Sequence, residues 1–445
     1  MLALVLAVAA LFTGTPQPVT ITASDGVPLA CSMVDPDGAP PAGGWPAVIL
    51  FHGFGGSHTN MEPIATQALA PAGFAALECD ARGTGASGGD FGLDGPREDQ
   101  DARDLFTWLA ARPEISDTAI GAFGISLGGA AAWNAVAAGV PFKAIVPAVT
   151  WTNLKTALAP SSYSKSQLIQ LLALAEAGAR WDPALLAAEP ALIQSQLAEF
   201  APLADDRSVT AQLPSFTTPT LLVQGRHDFL FDIDQALAAY RQLAGPKALY
   251  VGDLGHPPAP NPPAELPTIY TTAVQWFTKY LKGGGSAAAG IQLAHDPWDG
   301  KTTAYTALPP TKAISVSLPG TTTLKPVQTV TRGVRVTGGP HETFGDSTVT
   351  VRYSNAKSWD HLVAAVYAAG SPTPITEGGA KITAPSGTAT VHLMNESVLI
   401  PAGRRVLVTL SATSDVYGVN VAAGASITLG RATLKLSVLK KAVSR

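Results

Sequence analysis

The sequence predicts an α/β protein: a mostly parallel sheet with helices on both faces, interrupted by a helical insertion and followed by a jelly-roll-like β-sandwich. Three observations predict it. Between residues 15 and 150, short apolar runs alternate with stretches of helical period. From 151 to 214 the pattern is helical throughout, without a strand candidate. Beyond about residue 290 the apolar period falls to two, with Pro, Gly, Asn and Asp between the runs. Runs buried on both faces and separated by helices build a parallel sheet. Short alternating strands with frequent turn residues build a sandwich.

The opening "MLALVLAVAALF" is an apolar run of about a dozen residues, too short to span a bilayer and similar to the core of an export signal. Residues 1–14 are therefore read as a signal-like segment, and the protein is expected to be secreted or held in the cell envelope. A basic leader and a clean A-x-A site are missing. "VTITASDGVPLACSMV" reads as a hairpin turned at Asp25-Gly26. "PAVILFHG", "GFAALECD" and "TAIGAFGIS" are sheet strands. The helix "PREDQDARDLFTWLAARP" places Glu98 and Asp99 in its first turn, where the helix dipole favours them. It buries Leu105, Phe106, Trp108 and Leu109. After the insertion the alternation resumes with "TPTLLVQGRHD", "KALYVGDLGH" and the closing helix "PTIYTTAVQWFTKYLKG". The glycine-rich "KGGGSAAAG" (282–290) marks a boundary. The expected division is a sheet domain over 15–150 and 215–285, a helical cap over 151–214 and a sandwich over 286–445.

Composition excludes some classes. Hydrophobic residues make up 46% of the chain and charged residues 14%, which suits a large core rather than disorder. The net charge of −4 offers no basic field for nucleic acid. No segment after the first is long and apolar enough to span a membrane. The two cysteines, Cys31 and Cys79, lack metal-site spacing. Nothing in the pattern sets the oligomeric state.

The chemistry centres on "GAFGISLGGAAAW". Gly124-Ile125-Ser126-Leu127-Gly128 is a G-x-S-x-G between an apolar strand and a helix, the context that motif requires. Glycines permit the tight bend, and the alanines after it let the helix approach the sheet. Ser126 then stands exposed as a nucleophile, and the Leu127 N–H faces a developing oxyanion. In this fold the acid and the histidine follow the serine in that order. Asp228 lies in the loop after "TPTLLVQG" and His256 in the loop after "ALYVGD", both past the C-terminal ends of strands. His256 would take the hydroxyl proton, and Asp228 would hold the imidazole tautomer. "FHGFGGSH" matches the His-Gly loop that supplies a second oxyanion donor, with the Phe54 N–H as candidate. His52 is expected to fix that loop rather than transfer protons.

The competitors are weaker. His227 adjoins Asp228 but would point the other way. Asp232, the reserve for the acid, and Asp234 read as caps or surface charge. His295, His341, His361 and His392 fall in the sandwich. "GTGASG" (83–88) fits G-x-G-x-x-G, but it opens no helix and reads as a tight loop rather than a dinucleotide site. No cofactor or metal is called for.

With these residues in place, the chain resembles the cocaine-esterase and X-Pro dipeptidyl-peptidase (CocE/NonD, peptidase S15-like) group of α/β-hydrolases. "DARGTGASGG", "DARDLFTWLAARPEISDTAIGAFGISLGG" and "LIPAGRRVLVTLSATS" carry the resemblance. It implies acyl transfer to water through an acyl-serine. Two features depart from the better-known members. Leu127, not tyrosine, follows the serine, and the first oxyanion loop offers Phe54 rather than a tyrosine hydroxyl, so a backbone N–H must serve. The fold also implies that Cys31 and Cys79 lie on neighbouring strands, which allows either a cross-strand disulfide or two buried thiols.

The leading reading is a serine hydrolase acting on a small-molecule carboxylic ester. Phe54 and Trp151 are candidate substrate contacts, and the apolar cap residues Leu168, Leu171 and Leu172 suggest an apolar acyl or alcohol group. An X-Pro dipeptidyl aminopeptidase or amidase acting on a peptide is the alternative. A non-catalytic binding protein on a hydrolase scaffold is the third reading.

Overall fold

The computed structural model describes residues 14–175 and 178–443 of the 445-residue chain. The signal-like segment read at 1–14 lies, apart from Gly14, outside the described residues.

A ten-stranded sheet organises the molecule. Its strands are β1 (Gln17–Thr22), β2 (Pro28–Val34), β3 (Trp45–Phe51), β4 (Ala75–Cys79), β5 (Ile115–Ile125), β6 (Ile145–Ala148), β7 (Thr220–Gly225), β8 (Lys247–Gly252), β9 (Gly290–Ala294) and β10 (Thr302–Tyr305). The order is β1-β2-β4-β3-β5-β6-β7-β8-β9-β10. From β4 to β9 all neighbours run parallel, and antiparallel strands close both edges. The hairpin of β1 and β2 turns at Asp25-Gly26 as expected, with Gly26 at φ 86°.

Both faces of the sheet are buried, which explains why its strands read as continuous apolar runs. In β3, Ala47 and Ile49 face one core with Leu105, Leu109 and Trp133. Val48 and Leu50 face the other, with Trp276 and Phe277. The helices Pro96–Ala110 and Leu127–Ala137 supply the first layer, and Leu266–Leu281 contributes to the second.

Between β6 and β7 the chain forms short helices, including Ser166–Ala175, Pro183–Ile193 and Phe200–Asp205. They pack over the C-terminal ends of the parallel strands around Leu127, Trp151, Leu158 and Phe231.

One expectation fails. The glycine-rich 282–290 segment does not end the sheet. β9 follows it and pairs parallel with β8, and β10 returns antiparallel on β9. The boundary placed at 286 therefore falls inside the ten-stranded layer. Ile291 and Leu293 are apolar positions two apart, and that period also suits the edge of a large sheet. Beyond Tyr305, among the described residues, lie two larger antiparallel sheets and one small strand pair: Thr311–Leu318, Thr322–Leu324, Ser347–Lys357, Gly387–Leu393 and Ser426–Leu439 form the first sheet, Val330–Arg335, His361–Ala368, Thr376–Lys381 and Arg405–Ser411 the second, and His341–Glu342 pairs with Leu399–Ile400. The inner faces of the two larger sheets share one apolar core.

Cys31 and Cys79 stand opposite one another in the β2–β4 register and form a disulfide.

Glu78 is the unusual residue of this core. It sits mid-sheet between Ser32 of β2 and Leu50 of β3, and it is fully buried. Neither carboxyl oxygen has a partner among the described residues. Burial pushes its pKa up from 4.5 to about 8. The folded protein thus holds this proton more tightly than the unfolded chain does. Stability must fall as pH rises from about 4.5 through about 8. The expected loss is on the order of 2–4 kcal/mol across that window. Thermal unfolding at pH 5 and pH 8.5 checks it: Glu78→Leu should flatten the fall, and an equal fall in that variant would contradict it.

Candidate active site

β5 runs into the helix Leu127–Ala137 with only Ser126 between them. Ser126 adopts φ 57°, ψ −118°, a backbone that residues with a side chain rarely take. The bend is held by its neighbours. The Ser126 N–H donates to the Ala148 carbonyl at 2.8 Å, and its own carbonyl accepts the Gly129 N–H at 2.9 Å. The flanking glycines are dictated by contact. A Cβ on Gly124 would sit 1.9 Å from the Gly128 oxygen, and one on Gly128 would sit 2.1 Å from the Phe51 oxygen. The bend therefore presses the start of the helix against the end of β3.

Ser126 Oγ lies 2.8 Å from His256 Nε2. His256 Nδ1 lies 2.9 and 3.1 Å from the two oxygens of Asp228. With Nδ1–H donating to the carboxylate, Nε2 is the acceptor that faces the serine hydroxyl. Asp228 is fully buried, whereas the His256 side chain keeps 21% of its exposure. The carboxylate is held firmly: Oδ1 accepts the N–H groups of Leu230 and Phe231, each at 3.0 Å, and Oδ2 accepts the His256 N–H at 3.1 Å. The Phe231 ring meets the imidazole edge-on at 5.1 Å.

The loop after β3 passes beside the serine, since a Cβ on Gly53 would come 3.5 Å from Ser126 Cβ. His52 fastens this loop. Its Nδ1 is 2.8 Å from the Gly53 carbonyl, and its Nε2 accepts the Ala81 N–H at 2.9 Å. That pairing makes Nδ1 the protonated nitrogen, so this imidazole braces the loop. Among the described residues, the N–H groups of Phe54 and Leu127 have no acceptor. Both residues border the same cavity as Ser126.

That cavity holds about 470 Å³. Its walls are mainly apolar, with Phe54, Trp151, Leu172, Trp181, Leu192 and Phe231 among them. Trp151 is fixed by its indole N–H, which donates to the Arg207 carbonyl at 2.7 Å. Glu189 is the charged residue of the lining among the described residues. Leu172 faces the cavity, but Leu171, expected beside it, is 60% exposed. The two are consecutive on the helix Ser166–Ala175, so they project about 100° apart.

Sequence reasoning missed Trp181, which lines the cavity, and Phe91, which is buried behind it. Phe91 and Trp181 pack at 5.0 Å, and Phe54 meets both, at 5.9 and 5.8 Å. The cap closes here: the Phe91 N–H donates to the Arg180 carbonyl, and the Asp182 N–H donates to the Phe91 carbonyl. Two aromatic residues 90 positions apart, joined by a single-residue bridge, leave no periodic signal.

The competitors lie elsewhere. His227 Nε2 is 3.1 Å from the Pro374 carbonyl. Asp232, the reserve acid, accepts the Asn395 N–H at 3.1 Å instead of an imidazole. His341 and His361 contact the carbonyls of Thr337 and Ala412, and His392 pairs with Asp346. The 83–88 loop turns back on itself, with the Gly83 N–H donating to the Gly88 carbonyl. Among the described residues, no group of His, Cys, Asp or Glu is placed to hold a metal ion, and no helix is long and apolar enough to cross a membrane.

Comparisons with known proteins bear on the family and the fold. The model of the X-Pro dipeptidyl-peptidase (S15) family matches residues 25–257, just over half of the chain. An Escherichia coli protein, described as an uncharacterized 31.7 kDa protein in the traX-finO intergenic region, is 33% identical over 109 residues. That stretch is 24% of this chain and spans only 38% of the relative's length. Among solved structures, an aminopeptidase from the marine sediment archaeon Thaumarchaeota archaeon has a TM-score of 0.73 at 13% identity, covering 96% of this chain and 97% of its own. A CocE/NonD family hydrolase from Staphylococcus aureus scores 0.70 at 14% identity, covering 95% and 93%. An α-amino acid ester hydrolase scores 0.69 at 13% identity, covering 98% of each chain. At these identities the likeness is one of fold: the α/β-hydrolase sheet with a C-terminal sandwich. The chain belongs to the X-Pro dipeptidyl-peptidase (S15) family of hydrolases.

Proposed function

We propose that the chain is a serine hydrolase that cleaves carboxylic esters with apolar acyl groups through an acyl-serine. The observation that carries this is a serine hydroxyl 2.8 Å from an imidazole nitrogen, at the wall of an apolar cavity of about 470 Å³. Ser126 Oγ attacks the ester carbonyl as its proton passes to His256 Nε2. The buried Asp228 carboxylate keeps Nδ1 protonated and stabilises the imidazolium. The carbonyl oxygen gains negative charge and takes hydrogen bonds from the N–H groups of Phe54 and Leu127. The tetrahedral intermediate collapses, the C–O bond to the alcohol breaks, and the alkoxide leaves with the proton from Nε2. Water, deprotonated by His256, then attacks the acyl-serine and frees the acid.

Glu189 favours a second reading. A carboxylate on an otherwise apolar wall suits a substrate that carries an ammonium, as an amino-terminal X-Pro dipeptide does. We also propose export: the Cys31–Cys79 disulfide belongs to an oxidising compartment, in line with the apolar amino-terminal run.

One panel separates the two substrate readings. On p-nitrophenyl esters from acetate to octanoate, kcat/KM should rise roughly 3- to 4-fold per added methylene until the cavity fills. Gly-Pro-p-nitroanilide should be a poor substrate. Fast anilide cleavage with weak ester turnover would reverse the ranking in favour of the peptidase.

A further inference from the structure

The loop that carries Asp228 is gripped from the C-terminal sandwich. Asn395, Glu396 and Ser397 are fully buried and run beside it. The Asp228 N–H donates to Glu396 Oε2 at 2.9 Å. The Ile233 N–H donates to the Asn395 carbonyl at 3.1 Å, and the Ser397 N–H donates to the Arg226 carbonyl at 2.6 Å. Arg226, itself fully buried, returns a bond from Nε to the Ser397 carbonyl at 2.8 Å and pairs with Glu342. The main chain at Asp228 thus has its amide held by one side chain that lies 168 residues further along.

We propose that Glu396 is a positioning residue for the reaction: its carboxyl accepts the Asp228 N–H and fixes the loop on which His256 depends. The inference rests on the serine-hydrolase reading above. It gives the sandwich a part in the active site although none of its described residues borders the cavity.

The protonation of this carboxyl follows from its surroundings. Its second oxygen, Oε1, has no partner among the described residues. Burial raises its pKa well above the usual range, and the neighbouring Asp232 and Asp228 raise it further, while Lys165 opposes them. Lys165 is also buried and donates from Nζ to the Leu230 carbonyl at 2.7 Å. Glu377 and Tyr417 face the same cluster, and burial raises the pKa of both. The raised pKa favours the neutral form, whose oxygen still accepts the Asp228 N–H, and glutamine offers the same acceptor.

The test uses the full chain and two readouts: p-nitrophenyl butyrate turnover, and the rate at which a fluorophosphonate labels Ser126. Labelling requires Ser126 Oγ to displace fluoride from phosphorus with its proton passing to His256, so it needs no knowledge of the natural ester. Glu396→Leu should lower kcat and the labelling rate roughly 10- to 100-fold with little change in KM, the scale of a reacting group misplaced by about 1 Å. Glu396→Gln should restore both to within about 3-fold, because its amide oxygen accepts the same N–H. It should also leave the acid limb of the kcat/KM–pH profile in place. Were Glu396 ionised, removing its charge would lower the His256 pKa and move that limb to lower pH. If Glu396→Leu does not fold, Glu396→Asp, which keeps the acid but withdraws it from the Asp228 N–H, should show the same kcat loss. Wild-type kcat in the Leu or Asp variant, or a Gln variant as impaired as Leu, would overturn the proposal. Those results concern Glu396 alone, whereas undiminished turnover in Ser126→Ala would overturn the reading beneath it.

Discussion

Replacing Ser126 with alanine should lower ester turnover by about 10⁶-fold, the scale seen when the nucleophile of such a unit is removed. The protein should stay folded. The strained backbone at φ 57° is set by the bend between β5 and its helix, and alanine can occupy it as serine does. The side-chain hydrogen bond lost is the one to His256 Nε2. That imidazole keeps its contacts to Asp228 and a partly exposed edge, so no buried group is stranded. Stability should change by no more than about 0.5 kcal/mol, as for a substitution that opens no cavity. Turnover of p-nitrophenyl butyrate, with circular dichroism and thermal unfolding on the same sample, measures both. Full activity in a folded variant would remove the serine from the mechanism.

The second large effect is expected at Asp228. Asp228→Asn should lower kcat about 10⁴-fold with KM little changed. The geometry gives the reason. Oδ1 accepts two backbone N–H groups, from Leu230 and Phe231, and both carboxylate oxygens lie near His256 Nδ1. An asparagine must turn its oxygen toward those two amides, and its NH₂ then faces Nδ1. The imidazole responds by moving its proton to Nε2, which can no longer accept from Ser126. At high pH, where other bases can serve, part of the activity should return. A variant that keeps wild-type kcat at pH 7 would show that Asp228 does not set the tautomer.

Much of this site was legible because each part left a local mark. The G-x-S-x-G needed glycine at two places where a side chain would collide with main chain. Asp228 and His256 each followed an apolar run that ends at the same edge of the sheet. What the sequence hid was non-local. The β9 strand lies after a glycine-rich stretch that looks like a boundary, yet its pairing is with β8, and that is decided by tertiary packing. Leu171 and Leu172 are alike in composition, and only the rotation of one short helix separates wall from surface. Glu396 sits in a turn-rich segment, "LMNESVLI", where nothing distinguishes it from a surface glutamate until Asp228 is placed against it. The cysteines were an intermediate case: the resemblance placed them on neighbouring strands, and the register then brought the two side chains face to face.

The proposed reaction passes an acyl group through Ser126, and trapping that intermediate tests it most directly. Mixing the enzyme with a p-nitrophenyl ester at low pH, where deacylation slows, should release a burst near one equivalent of p-nitrophenolate. Mass spectrometry of the quenched protein should place one acyl group on the peptide that contains Ser126. Steady ester turnover with no burst and no adduct, or an adduct on another residue of the folded chain, would contradict it.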